Sequence, residues 1–352
     1  MGALKTALLA GGACIVGREV MRRLRPADLC GEVALVTGGS RGLGLLIARE
    51  LAKAGCRLAI SARDAPELER ARADLARFHV EVETIVADVG KPDEAERMVE
   101  QATERFGRVD ILVNNAGIIQ VGPLAAVTLD DFQQATDVMY WVVVYPTLAV
   151  LPQMQARKQG RIANVTSIGG KISVPHLLPY SCAKFAAVGF SEGLAAEVAQ
   201  QGIAVTTIVP GLMRTGSHLH AIFKGQQELE YGLFTPLASM PLVSMDAERA
   251  ARQVVGAIRR GESEWFLGIT ATLAARFHGL FPGTTVELLG SMTRLLPKAR
   301  RDQTAGAPGR QVDDRLDSRL LDTATTLGQR AAERFNETHP TAPEEEMTGF
   351  PR

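Results

Sequence analysis

Four groups of side chains in this 352-residue chain have types and spacing suited to chemistry. The first is the run Thr37-Gly38-Gly39-Ser40-Arg41-Gly42-Leu43-Gly44. Glycines in such a turn allow a tight bend and let the backbone approach a pyrophosphate at a helix N-terminus, where free amides and the dipole favour an anion. The spacing is T-G-x3-G-x-G rather than G-x-G-x-x-G, and glycines between a strand and a helix can also be purely structural. The second group is Asn114-Asn115-Ala116-Gly117. The third is Ser167, followed thirteen residues later by Tyr180, with Lys184 four beyond that. A separation of four puts Tyr180 and Lys184 on one helix face. A Tyr-x-x-x-Lys pair alone is common surface chemistry; the serine upstream and the glycine-rich turn change its meaning. The fourth group is Pro210-Gly211-x-x-x-Thr215.

The first run also spells Gly38-x-Ser40-x-Gly42, the pattern of a hydrolase nucleophile elbow. An elbow needs sheet and an oxyanion loop before it, yet only 37 residues precede it in this sequence and no HGGG-type loop is among them. The glycines therefore read as an anion cradle. Downstream, Ser61-Ala62-Arg63 offers no acidic residue to accept hydrogen bonds from a free adenosine ribose. Arg63 and Arg41 could instead flank a 2′-phosphate through paired guanidinium donors, so NADP is expected ahead of NAD. The alternative is two solvated arginines. Asp88, with Val89 beside it, stands where it could meet an adenine amino group; a helix N-cap near Lys91-Pro92 is the other reading.

The elements that must position these groups alternate. Strands are expected over Val33–Thr37, Arg57–Ser61, Val80–Val86, Val109–Val113, Arg161–Thr166, Ala204–Val209 and Glu264–Gly268. Helices are expected over Leu43–Ala54, Ala65–Arg77, Pro92–Phe106, Leu129–Gln155, Pro179–Gln200 and Ala247–Arg260. Strand–helix alternation demands a doubly wound parallel sheet, an α/β Rossmann fold in three layers, with helices on both faces. Such sheets bind ligands outside the carboxyl ends of their strands, so the chemistry-bearing residues should follow strands. Beyond residue 268 the alternation stops. One or two helices are expected in Ile269–Leu296, and from Lys298 the composition turns to Asp, Arg, Pro and Thr. The expected organisation is an N-terminal extension (1–31), a dinucleotide-binding domain (32–268), a helical extension (269–300) and a polar, largely flexible tail (301–352), with an amphipathic helix around Asp313–Phe335 conceivable and the Pro340–Pro351 end disordered.

Composition narrows the functional classes. With 39 basic and 39 acidic side chains the formal net charge is zero, which leaves no electrostatic footprint for nucleic acid. The four cysteines, Cys14, Cys30, Cys56 and Cys182, contain no CxxC pair, which fits reduced thiols and a cytoplasmic setting. No run of 18 or more uncharged apolar residues occurs. Ala7–Val16 is the nearest candidate, open to reading as a docked extension, an amphipathic membrane-touching helix or a signal peptide.

Taken together, TGGSRGLG, NNAG, Ser167, YSCAK and Pro210-Gly211-x-x-x-Thr215 resemble, in order and approximate spacing, the short-chain dehydrogenase/reductase family over about residues 32–268. The resemblance implies hydride transfer between NAD(P) and a carbonyl/secondary-alcohol pair. Tyr180 would be the proton donor in reduction and the base in oxidation. Lys184 would stabilise its phenolate and hold the nicotinamide ribose, and Ser167 would hydrogen-bond the substrate oxygen. Thr37, Gly38, Ser40, Arg41, Gly42, Leu43, Gly44, Arg63, Asp88, Val89, Asn114, Asn115, Ala116, Gly117, Tyr180, Lys184, Pro210, Gly211 and Thr215 would line the cofactor. A tyrosine with an ordinary pKa near 10 must fall by roughly 2–3 units to work near neutrality, worth about 3–4 kcal/mol.

One departure stands out. The family usually carries a catalytic asparagine on the long helix after NNAG, in a V-N-x-x-G context. Here Val138-Met139-Tyr140-Trp141-Val142 puts Met139 in its place, and no asparagine occurs between 116 and 163. A thioether donates no hydrogen bond, which leaves a dinucleotide-binding protein with little turnover as the alternative to an active enzyme. Pro146 should kink the same helix. The substrate side, Ile168–Leu178 and Met213 to about Met245, is mostly apolar through Ile172, Val174, Leu177, Leu178, Leu219, Ile222 and Phe223, which favours a hydrophobic carbonyl compound over a polar sugar. His218 and His220 are two apart, share no helix face and have no evident third metal ligand. The resemblance implies a homodimer or homotetramer through the Tyr180-bearing helix and the long helix before it, and the apolar run Tyr140–Tyr145 fits a helix buried on several sides.

Overall fold

The computed structural model describes residues 26–338, apart from 242, 300–301 and 317–318. Ala7–Val16 and Pro340–Pro351 lie outside the described residues. Seven strands form the main sheet: β1 (Val33–Thr37), β2 (Arg57–Ala62), β3 (Val82–Val86), β4 (Ile111–Asn114), β5 (Gly160–Val165), β6 (Ile203–Pro210) and β7 (Glu264–Leu267). Every pairing is parallel and the order is β3-β2-β1-β4-β5-β6-β7. The chain winds outward from β1 in one direction and then from β4 in the other, so the sheet's switch point lies between these two strands. That is where an open α/β sheet leaves a crevice for a ligand.

The twofold alternation of each strand explains the layers. Ala34 and Val36 point to one face, into a core with Leu45, Ile47 and Leu51 of α1 (Gly42–Lys53) and Leu68 of α2 (Ala65–Leu75). Val33 and Leu35 point to the other face, against Met98 of α3 (Pro92–Phe106). Because both faces are covered, the strands are apolar at nearly every position, as a parallel sheet requires.

The long helix expected over Leu129–Gln155 is interrupted. It starts as α4 (Leu129–Thr136), capped by Thr128 and Asp131, widens into a π turn over Asp137–Trp141, and resumes as α5 (Val142–Arg157). The break lies upstream of Pro146, around which α5 continues. Its 29 residues, Leu129–Arg157, are long and apolar enough to cross a membrane by composition, but Val143, Val150 and Met154 are spent on the core under the sheet. Beside it runs α6 (Leu178–Glu197).

After β6 the chain adds α7 (Gln227–Ser239), part of a cap that periodicity did not reveal; the expected helix α8 (Ala247–Arg260) returns to the sheet, and the helices expected beyond β7 are α9 (Ile269–Leu280) and α10 (Pro282–Met292). The tail differs most from expectation. Gly306–Pro308 pairs antiparallel with Ile222–Lys224, which pairs in parallel with Gln120–Val121, and α11 (Gly309–Leu316) and α12 (Arg319–Arg334) follow. Residues 306–337, read from composition as part of a flexible tail, thus dock through buried Ala307, Val312, Ala331, Ala332 and Phe335. A few well-spaced apolar residues suffice, because each meets a face already apolar.

A buried polar chain joins the layers beneath the strand ends. Asn114 Nδ2 donates to Asn164 Oδ1 at 2.8 Å, Asn164 Nδ2 to Ser191 Oγ at 3.0 Å, and Ser191 Oγ lies 2.7 Å from Thr207 Oγ1. Leaving such groups unpaired costs more than the bonds contribute. Asn164→Leu, which removes two of these bonds at the centre of the sheet, is expected to destabilise the protein by about 2 kcal/mol, read as a lower urea midpoint at unchanged m-value.

Candidate active site

The predicted groups do follow strands. Thr37 closes β1, and its Oγ1 accepts from the amides of Asn115 at 3.1 Å and Ala116 at 3.3 Å. Asn115 Nδ2 reaches back to the carbonyls of Thr37 (3.3 Å) and Gly38 (3.1 Å). Asn115, Ala116 and the turn are therefore one clamped unit across the switch point. Asn114, expected to line the cofactor, is instead buried in the polar chain described above. It is the last residue of β4 and points into the protein, whereas its neighbour turns outward.

The glycines have separable jobs. Gly38 has φ +61°, and a Cβ there would stand 3.0 Å from Ala116 Cα. A Cβ on Gly44 would fall 2.0 Å from the Gly38 carbonyl, so only glycine lets α1 start so close to the turn. Gly42 (φ +55°) opens α1; a Cβ there would meet nothing but Glu337 within 4 Å. The helix's N-cap, Arg41, gives no side-chain cap. This backbone has the form of a cradle for a pyrophosphate, with glycines that put no side chain of their own over the first amides of α1, although Glu337 stands over Gly42 in this structure. Leu43 is buried behind it.

Ser40 and Arg41 are held by a residue that sequence reasoning missed. Buried Glu67 accepts from Ser40 Oγ and from Arg41 Nη1, both at 2.9 Å. Its sequence signal, Asp64-x-x-Glu67, reads as a capping box. Asp64 does accept from the Glu67 amide at 2.7 Å, but the glutamate carboxylate turns to the glycine-rich turn instead. Arg63, at the end of β2, is exposed and makes no ion pair among the described residues. Asp88 Oδ1 accepts from the Gly90 amide at 3.0 Å, an Asx-type turn rather than a helix cap, while the helical Glu94 caps back onto the Asp88 amide at 2.7 Å. Val89 is buried beside it.

Ser167, Tyr180 and Lys184 come together past the end of β5. The Ser167 hydroxyl accepts from the Gly169 amide at 3.0 Å and is hydrogen-bonded to the Tyr180 phenol. A Cβ on Gly169 would lie 2.8 Å from Tyr180 Cε1, so this approach requires glycine. Burial pushes the phenol's pKa above its ordinary 10, and the Ser167 hydrogen bond pulls the other way without cancelling it. Lys184 Nζ lies 6.0 Å from the centre of the Tyr180 ring and donates to the Val165 carbonyl at 3.1 Å. Burial lowers its pKa to about 8. Phenol and ammonium thus share one pocket, with the proton on the phenol and a charge on the lysine that is weakly held near neutrality.

Met139 is buried on the π turn in a small cluster with Ala135 and Ala183, against which Tyr180 packs. It sits near Gly117: a Cβ there would be 3.8 Å from both Met139 Cγ and Lys184 Nζ. The expected asparagine position is therefore close to Lys184, and its side chain offers no donor.

On the fourth side, the Gly211 amide donates to the Leu267 carbonyl at 3.2 Å after Pro210 ends β6, and buried Thr215 Oγ1 accepts from Ser217 N at 3.2 Å. Two residues expected on the substrate side, Leu219 and Phe223, are buried elsewhere. The Phe223 ring packs on Tyr231 (5.2 Å) and Phe234 (5.9 Å) in the core of the cap. Leu177, like Phe223, packs against the core of the cap and Leu178 opens α6, while Ile172 and Val174 lie on the preceding loop, which His176 (φ +65°) ties to buried Glu230 of α7 at 2.8 Å. His218 and His220 diverge: burial lowers the first to about 4, and the second meets Glu337. Among the described residues no group of three or more His, Cys, Asp or Glu is arranged to hold a metal.

Comparison with known proteins agrees with this geometry. A family model described as short chain dehydrogenase matches residues 32–222. A dehydrogenase/reductase SDR family protein 7-like from Anopheles gambiae is 39% identical over 209 residues, 58% of this chain and 66% of that protein, just under two thirds of its length. A solved short-chain dehydrogenase from Streptomyces avermitilis superposes with a TM-score of 0.64 at 30% identity, covering 75% of this chain and 97% of that one. An L-sorbose reductase from Gluconobacter frateurii, solved with NADPH and L-sorbose, gives 0.61 at 27% identity, over 68% and 97%. With its glycine cradle, its clamp and its Ser-Tyr-Lys cluster all at the carboxyl edge of the sheet, the chain belongs to the short-chain dehydrogenase/reductase family.

Proposed function

We propose that the protein transfers a hydride between NADP(H), with NAD(H) second, and a hydrophobic carbonyl or secondary-alcohol substrate. The observation that carries this reading is the convergence of Ser167, Tyr180 and Lys184 past β5, one strand beyond the clamped turn. The bound nicotinamide supplies or accepts the hydride. The chain's own residues do the rest. The cradle at Gly42 and Gly44 takes the pyrophosphate, and Arg63 with Arg41 takes the 2′-phosphate. Ser167 holds the substrate oxygen by a hydrogen bond, and Tyr180 delivers its phenolic proton to that oxygen as the carbon receives hydride. The phenolate left behind is stabilised by the Lys184 ammonium. In oxidation the phenolate takes the proton back. The apolar side chains of Ile172, Val174 and Leu178 support a hydrophobic substrate, and the L-sorbose complex of the structural neighbour makes a polar sugar the comparison to test. A homodimer or homotetramer through α5 and α6, a cytoplasmic setting and a peripheral membrane contact through Ala7–Val16 belong to the same proposal.

A screen of aliphatic, steroidal and aromatic ketones and of sugars, followed by loss of NADPH absorbance, tests the assignment. Tyr180→Phe should cut kcat by about 10³ while NADPH still binds; activity that survives it overturns the role of the phenol. Arg63→Ala should raise the Kd for NADPH about tenfold or more and leave that for NADH nearly unchanged.

The pH dependence follows from the two shifts. Because the Tyr180 phenol is raised, it keeps its proton well into the alkaline range. Because Lys184 is lowered to about 8, its positive charge is present below that pH and lost above it. For reduction, kcat/KM, which reports the free enzyme, should be level up to about pH 8 and fall beyond it; a profile flat to pH 10 would contradict the lysine's part.

The second reading, a dinucleotide-binding protein with little turnover, is favoured by buried Met139 beside Lys184. Met139→Asn puts a donor and acceptor there. A rise in kcat of about tenfold or more, with NADPH affinity unchanged, is expected if the thioether limits proton supply to Lys184; an unchanged kcat would show that it does not.

A further inference from the structure

The segment after α12 ends on the glycine-rich turn. Asn336 takes the left-handed conformation (φ +62°) that often closes a helix, and its amide donates to the carbonyls of Ser40 (2.9 Å) and Glu67 (3.2 Å). Just before it, the Phe335 carbonyl accepts the Gly42 amide, the first of α1, at 2.9 Å. Just after it, the buried Glu337 carboxylate stands over Gly42: a Cβ built on that glycine would lie 2.4 Å from Glu337 Oε1. The other oxygen, Oε2, is 3.4 Å from Arg41 Nε and 3.1 Å from His220 Nε2, yet has no hydrogen-bond partner. The space that a glycine-rich turn keeps clear for a phosphate thus holds a carbonyl and a buried, under-satisfied carboxylate from the segment that follows α12.

We propose that Phe335–Glu337 is an intramolecular competitor for the dinucleotide. It holds the Gly42 amide, the space above it and Arg41, and must withdraw before the pyrophosphate can reach them. The proposal rests on the dinucleotide reading given above. An anion and a helix N-terminus attract each other, whereas two anions at one N-terminus repel, so carboxylate and pyrophosphate exclude one another by charge as well as by volume. Cofactor affinity is then reduced by the fraction of molecules in which the segment is docked.

The test titrates NADPH and NADH into full-length wild type, Glu337→Gln and Glu337→Ala, each first checked for an unchanged circular dichroism spectrum. Glu337→Ala should bind NADPH about tenfold more tightly than wild type, with Glu337→Gln in between because it keeps the volume and loses the charge. Variants that bind no more tightly than wild type, or more weakly, overturn the competitor. Failure of all three proteins to bind either dinucleotide would sink the dinucleotide reading itself, and the competitor with it. Tight binding by wild type alone would show Glu337 to be a wall of the site rather than a rival for it.

Discussion

Much of this molecule hangs from one side-chain oxygen. Thr37 Oγ1, at the end of β1, takes the amides of Asn115 and Ala116 from the loop after β4 and so closes the switch point of the sheet. Asn115 returns the contact by donating to the carbonyls on either side of the bend. The two loops then approach so closely that a Cβ added to Gly38 would stand only 3.0 Å from Ala116 Cα. Neither loop could take this shape alone, since each satisfies backbone groups that the other leaves open. The same clamp sets Gly117 next to Lys184 and Met139, so the glycine-rich turn and the Ser167-Tyr180-Lys184 cluster share one foundation.

From that foundation the electrostatics of the pocket follow. Bringing Lys184 from its ordinary 10.5 to about 8 costs its charged form about 3 kcal/mol. A lone carbonyl, that of Val165, is the one hydrogen-bond acceptor it meets among the described residues. Tyr180 is held the other way, its phenolate disfavoured by burial. Two groups poorly suited to carry charge separately are suited to carry it together, because a phenolate and an ammonium compensate each other in a dry site. The pocket thus makes each charge conditional on the other, which on the proposed reading is what a proton donor that must also become a base requires. The Ser167 hydrogen bond to the phenol ties a third polar group to the same pair.

What could be read from the residues divides by range. The glycine-rich turn, the Tyr180–Lys184 pair and the strand ends were legible because each depends on neighbours within a turn or a strand, and the alternation of elements then dictates a parallel sheet. The seven strands were placed to within two residues of where they lie. The role of Glu67 was not legible, since Asp64-x-x-Glu67 already has a local explanation as a cap and the competing partners sit 26 and 27 residues away. Phe223 was assigned to the substrate side because an apolar residue after β6 looks the same whether it faces a ligand or Tyr231. The π turn replaced a uniform helix for a similar reason: an i to i+5 turn changes no residue type. The docking of residues 306–337 depends on distant surfaces, the cap around Phe223 and Tyr231 and, for Asn336, Ser40 at 296 positions away, and composition is blind to that.

The cluster around the turn also bears on which arginine would recognise a 2′-phosphate. Arg41 and Arg63 look equivalent in the sequence, each a guanidinium near a strand end. In the fold they are not. Arg41 donates to buried Glu67 at 2.9 Å and faces Glu337 at 3.4 Å, so its charge is compensated before any ligand arrives. Withdrawal of Glu337 would free part of that charge but leave the Glu67 pair, whose carboxylate also serves Ser40. Arg63 has no such partner among the described residues. On the proposed reading a phosphate beside both would gain more from Arg63, because an arginine already neutralised adds little field, while an exposed and unpaired one gives up only solvent. On that reading Arg41 serves chiefly to hold the turn in shape through Glu67, and the choice between the two dinucleotides falls to Arg63, the residue that follows β2.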